Sequence, residues 1–225
     1  MKKGIERRDQ IIEAAERLFY EKGYEQTSVQ DVLDALSLSK GGFYHYFQSK
    51  IELLEAVCRR QSVRDAEEMT AAVAQKEGAV AKLNTLLQYC GLLRRDRMDF
   101  ALLVLRVGYL GGSLQLRACL REGLMETALP MMREIILEGM AENVFFTRFP
   151  DDIGELILQL FANITDELAM LIASGAPENQ MGDMLTRLET YRCSVETLLG
   201  APFGTITLCD LRLIPEAAAA MAAKG

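Results

Sequence analysis

Three observations predict an all-α fold for this chain. Apolar residues recur at intervals of three and four along nearly its whole length. No run of alternating apolar and polar residues is long enough to build a sheet, and no internal repeat is evident. Breaks rich in glycine, proline or charge divide the pattern into segments of helix length, at Arg94 to Asp99, Gly111-Gly112, Gly139 to Pro150, Gly175 to Pro177 and Gly200 to Gly204. The pattern resolves into a small N-terminal unit of three helices in helix-turn-helix order, residues 1–50, and a larger helical regulatory and dimerisation body, residues 51–225. A chain of 225 residues, 50% hydrophobic and 25% charged, is long enough for both.

Ile11, Ile12, Ala15, Leu18 and Phe19 form the apolar face of the first helix, which Lys22-Gly23 ends. Ser28 or Thr27 caps the second, with Asp31 at the capping-box distance from Ser28 and Val32, Leu33 and Leu36 on one face. After the break Ser37-Leu38, Ser39 caps a third helix running to about Tyr46. Phe43 and Phe47 are four apart, so they share a face and close a small core against Val32 and Leu36. Ile51, Leu53, Leu54 and Val57 then open a linking helix that runs toward Glu67-Glu68. From Ala79 onward the pattern is helical, with Thr205 to Leu211 readable as a short strand or one more helix and the alanine-rich tail from Pro215 to Gly225 as a frayed helix.

The third helix leaves its other face free, and that face presents Lys40, Gly41, Tyr44 and His45, with Lys50 just beyond. A helix entering the major groove needs small residues where backbone meets DNA, cations or amides for phosphate oxygens, and planar groups that hydrogen-bond or stack. Two adjacent glycines, Gly41-Gly42, cost about 1 kcal/mol of helix propensity each, so the pair asks for a compensating reason such as close backbone approach. Phe43 and Phe47 are assigned to the core, Tyr44, His45 and Lys50 to solvent.

With an amphipathic helix before it, the run GYEQTSVQDVLDALSLSKGGFYHYFQSKIELL resembles the DNA-binding domain of the TetR (tetracycline repressor) family of transcriptional regulators. The likeness covers roughly residues 5 to 57. It implies that Ser28, Gln30, Lys40, Gly41, Tyr44, His45, Tyr46 and Lys50 lie at double-stranded DNA, mostly against phosphates; Ser39, at the cap, completes the candidate set. Two positions depart from the family pattern. Ser37 stands where a turn glycine is usual, and Leu33 where a small alanine lets two helices approach, which bears on the tilt of the third helix.

The net charge of −7 is unevenly distributed. Residues 1–50 hold eight basic and eight acidic groups, so the whole deficit falls on residues 51–225, away from the DNA-facing element. Five cysteines, an odd number and widely separated, with no CxxC pair, suggest reduced core thiols and a cytoplasmic protein. His45 is the sole histidine, so a His/Cys metal site is not expected, and no cofactor is implied. The N-terminus has no apolar run behind its charges, and no uninterrupted apolar stretch of the ~20 residues needed to span a bilayer is seen, so no membrane association is expected.

In the body, two segments suit a homodimer interface. Asp151 or Asp152 caps a helix containing Leu156, Leu160, Ile164 and Leu168, and Met184, Leu188, Tyr191 and Val195 mark the next; paired with a second copy these make a four-helix bundle, as the family resemblance also implies. A homodimer reads a near-palindromic operator with two heads, which one short helix cannot do alone. Tyr89, Met98, Phe100, Arg106, Tyr109, Met125 and Phe145 are candidates for lining a cavity for a small-molecule effector, although such residues suit a filled core equally. The leading reading is a homodimeric repressor released from its operator by a small apolar or amphipathic effector. The alternative is a ligand-independent helical DNA-binding adaptor needing a protein partner. An enzyme is disfavoured: there is no GxSxG, no phosphate-cradling glycine loop and no second histidine.

Overall fold

The computed structural model describes residues 2–175 and 178–223, so the end of the expected break at Pro177 and the last two tail residues lie outside the described residues. Among the described residues every regular element is helical. The N-terminal head comprises α1 (Lys2–Glu21), α2 (Val29–Leu36), α3 (Lys40–Tyr44) and the first turns of α4 (Lys50–Ala74). The body adds α5 (Ala79–Cys90), α6 (Met98–Val104), α7 (Leu114–Ala141), α8 (Ile153–Ala173), α9 (Glu178–Leu199) and α10 (Leu213–Ala223). A 3-10 turn, Arg95–Arg97, leads into α6, and a π-helical segment, Leu105–Leu110, continues it.

The head forms as its sequence pattern dictates. Ile11, Ile12, Ala15 and Phe19 of α1 are buried with Val32 and Leu33 of α2, and Phe43 and Phe47 are fully buried 5.9 Å apart. Leu53, Leu54 and Val57 of α4 are likewise fully buried, and α4 packs on α1 before crossing to α5 and α7. Leu33, the residue larger than the family pattern, is accommodated at 1% exposure. Ser37 adopts φ 51°, ψ 45°, the left-handed conformation at the end of α2 that glycine takes without strain.

Several expectations need correction. The third helix ends at Tyr44 rather than about Tyr46, with His45 as its C-cap. Thr205 to Leu211 is neither strand nor helix: the Asn84 side-chain amide donates to the Thr205 carbonyl and accepts from the Thr207 amide, both at 2.8 Å, so a side chain replaces a neighbouring strand. The alanine-rich tail does not fray over its described length; α10 docks against α6 and α8 through buried Leu213, Ile214 and Ala217. Of the cysteines, Cys58 and Cys90 are core residues, whereas Cys119, Cys193 and Cys209 are half-buried.

The largest correction concerns the residues assigned to the dimer face. Ile164, Leu168, Met184, Leu188 and Val195 are buried within the chain itself, because α8 and α9 pack on each other and α8 packs on α7. Leu160 and Tyr191 are half-buried, and Leu156 is 44% exposed. By length and mean composition alone α8 is apolar enough to cross a membrane, although Glu155, Asp166 and Glu167 interrupt it; here it is the helix on which α7, α9 and α10 converge.

Phe47→Ala is expected to lower the unfolding free energy by about 3–5 kcal/mol, the usual effect of deleting a fully buried ring. Chemical denaturation followed by circular dichroism measures it, and an unchanged midpoint would remove Phe47 from the core.

Candidate functional site

Three serine caps in succession shape the head. The Ser28 hydroxyl accepts from the Asp31 amide at 3.1 Å while the Asp31 carboxylate accepts from the Ser28 amide at 2.8 Å, completing the capping box. Ser39 accepts from the Gly42 amide at 3.2 Å and opens α3; Ser49 accepts from the Glu52 amide at 3.2 Å and opens α4. Asp31 is further held by the Lys22 ammonium at 2.8 Å, and these bonds keep its carboxyl well below the usual carboxylate range. Thr27, which the pattern offered as a second possible cap, is instead fully buried and donates to the Gly23 and Leu18 carbonyls at 2.8 and 3.2 Å. It ties the α1–α2 loop to the end of α1, a role its polarity alone did not reveal.

On this scaffold Ser28, Gln30, Ser39, Lys40, Gly41, Tyr44 and His45 are exposed, Tyr44 at 49%. The Ser28 and Ser39 hydroxyls already serve caps, and Gln30 donates to Asp34 at 2.7 Å. Tyr46 is half-buried, its ring edge-on to His45 at 4.9 Å. Lys50 departs from the sequence expectation of a solvent-facing cation. Its ammonium donates to the Tyr24 carbonyl at 2.9 Å and sits 4.2 Å from the Tyr24 ring centroid, pinning the start of α4 to the α1–α2 loop. Gly42 abuts Leu38 and Ser39 of its own turn, whereas a Cβ placed on Gly41 would meet nothing within 4 Å. Among the described residues, nothing therefore requires glycine at position 41.

The body contains a cavity of about 120 Å³ between α4, α7, α8 and the α5–α6 segment. Of the residues assigned to it from sequence, Tyr89, Phe100 and Tyr109 line it, and Met98, Arg106, Met125 and Phe145 do not. Arg117, Leu120, Arg121 and Leu124 form the α7 wall; Met125, one residue on, is turned about 100° away. Phe145 packs over Gly139, where any Cβ would collide with its ring. Arg106 faces a separate cleft of about 450 Å³ between the end of α1 and the α6–π segment, beside Tyr20, Tyr24 and Asp99.

Charged groups that the sequence reading missed organise the cavity. Asp65 of α4 pairs with Arg97 and, at 3.4 Å, with Arg94, whose guanidinium lies 4.0 Å from the Tyr89 ring centroid. Arg97 also donates to the Gly91 carbonyl at 3.0 Å; burial pulls its pKa down to about 10, leaving it charged at neutral pH. Asp166 pairs with Arg121 at 2.8 Å and accepts from the Tyr109 hydroxyl, whose pKa burial and this bond push up. The available signal was Asp166 in the mostly polar run Asn163 to Glu167 of the largely apolar α8, with Arg117 and Arg121 one turn apart on α7.

Residues 11–57 match the family described as bacterial regulatory proteins, tetR family. The chain is 37% identical over 81 residues to the HTH-type transcriptional repressor Rv1474c of Mycobacterium tuberculosis, an alignment covering 36% of this chain and 41% of that protein. The matches to such curated relatives span about two fifths of their length. Two solved structures share the fold: a Saccharomonospora viridis transcriptional regulator in complex with choline, at TM-score 0.54 and 20% identity over 83% of this chain and 95% of that one, and Bacillus subtilis FadR in complex with stearoyl-CoA, at TM-score 0.55 and 21% identity over 86% and 98%.

Gly41→Ala is expected to raise head stability by up to about 1 kcal/mol through helix propensity while weakening DNA binding by filling the space at the helix surface. Thermal melts and DNA titrations measure the two effects separately; unchanged DNA affinity would remove Gly41 from the contact surface.

Proposed function

We propose that this chain, whose N-terminal domain belongs to the TetR family of transcriptional regulators, is a homodimeric repressor of a near-palindromic operator, released by a small apolar or amphipathic effector. The observation that carries the reading is the course of α4. Its residues Leu53, Leu54 and Val57 are buried where the helix packs on α1, and Ser62, Asp65, Ala66 and Met69 of the same helix form one wall of the cavity. An occupant that favours one setting of α4 thereby favours one placement of the head. It shifts the population only to the extent that it binds the two settings with different affinity. Choline and stearoyl-CoA in the two similar structures support a ligand-holding body for this fold, and residues 51–225 are assigned that role here.

At the DNA, Lys40, Gly41, Tyr44 and His45 form the reading face of α3, with Ser28 and Gln30 flanking it from α2. Five residues of helix read few base pairs, so two heads are required. The dimer face is assigned to the outward side of α8, where Leu156, Leu160, Asn163, Glu167 and Met170 recur at helical spacing and Leu185 of α9 lies exposed.

Selection from a random duplex pool by purified protein is expected to enrich a near-palindrome, and Lys40→Ala/Tyr44→Ala to bind it at least about tenfold more weakly with its fold intact, a loss of about 1.4 kcal/mol. Well-folded protein that enriches no duplex contradicts sequence-specific reading. Leu156→Glu/Leu160→Glu is expected to convert dimer to monomer in sedimentation; a persisting dimer would move the interface off α8.

A further inference from the structure

We propose that the occupant of the body cavity carries an anionic headgroup, a carboxylate on a short apolar chain, and that Arg117 receives it. The proposal rests on the effector-site reading of that cavity. Five charged side chains line it: Asp65, Asp166, Arg97, Arg117 and Arg121. Each carboxylate is already engaged, Asp65 by Arg97 and Arg94, and Asp166 by Arg121 and the Tyr109 hydroxyl. Among the described residues Arg117 alone of the three cavity arginines has no carboxylate partner. Its Nε is buried without an acceptor, and its guanidinium rests 5.2 Å from the Tyr109 ring centroid. Stacking on the ring fixes the plane of the guanidinium but satisfies none of its N–H donors.

A buried donor without an acceptor is unfavourable, and a guanidinium presents paired N–H groups that match a carboxylate's two oxygens. An anion placed there would also balance the cavity, which holds one more arginine than aspartate. A cationic headgroup would meet the reverse situation, with no free carboxylate to receive it. Away from the arginines the walls are apolar: Ala66, Met69, Leu92, Phe100, Val104 and Leu124. The volume of about 120 Å³ has room for about ten waters, a space suited to a short chain such as that of octanoate.

Calorimetric titration of the full chain with octanoate, octanol and octylamine, at neutral pH, tests the headgroup alone on a constant tail. Octanoate is expected to bind at least about tenfold more tightly than the other two. Arg117→Met is expected to abolish that preference and leave octanol affinity unchanged, while Arg117→Lys, which keeps the charge, retains part of it. If Arg117→Met fails to fold by circular dichroism, the wild-type headgroup series and Arg117→Lys decide. Equal or tighter binding of octanol or octylamine overturns the anionic headgroup but keeps the cavity as a ligand site. Undiminished octanoate preference in Arg117→Met removes Arg117 from the proposal, and no binding of any of the three overturns the effector site together with the proposal.

Discussion

Helix α4 buries its first turns in the head and Met69 and Val73, toward its C-terminal end, in the body, and a continuous helix of 25 residues, about 37 Å long, transmits a tilt at one end to the other. Both ends are tied. At the N-terminus Ser49 caps the helix and Lys50 binds the Tyr24 carbonyl and ring; along its middle Asp65 holds Arg94 and Arg97 from the segment after α5. The head's orientation relative to the body is set by packing along this rod and these two ties, together with the Arg64–Glu16 pair at 2.9 Å and the packing of α1 on α6. Any ligand that disturbs the Asp65 cluster acts on the same rod that carries the head.

The two ties differ in kind. Lys50 is half-buried and its partners are neutral, so it acts as a short-range pin between the start of α4 and the α1–α2 loop. Asp65, Arg94 and Arg97 lie largely out of water, where removing Asp65 leaves the Arg97 guanidinium without its carboxylate and costs far more than a surface pair contributes. Beside them, Asp166, Tyr109 and Arg121 form a second closed group. Two ion-paired clusters flanking one guanidinium without a carboxylate partner make the cavity chemically asymmetric, with a charged end and an apolar end. The scaffold itself is neutral on this point, since similar folds are seen with choline and with stearoyl-CoA.

Ser37 and Gly41 show how the head divides stability from recognition. At Ser37 the chain holds a left-handed backbone without glycine, a local strain that the buried Val32, Leu33 and Phe43 around the turn must offset. At Gly41 it keeps a glycine where internal packing asks for none. The first is tolerated by the core, and the second is asked for by no packing contact among the described residues.

The sequence by itself determined the head: helical period, capping serines and the Phe43/Phe47 spacing specify neighbours a few residues apart, and those local rules placed seven of the nine DNA-facing candidates on the exposed surface. Lys50 escaped them because its partner, Tyr24, lies 26 residues away. In the body only the tertiary structure decided which apolar side of α8 and α9 faces inward, burying Ile164, Leu168, Met184, Leu188 and Val195 and leaving Leu156 outside. It alone brought Asp65, Arg97, Arg117 and Asp166, drawn from four separate segments, around one cavity. Periodicity states that a helix has an apolar side, but which helix covers that side, and which charge meets which, depends on contacts between segments far apart in the chain.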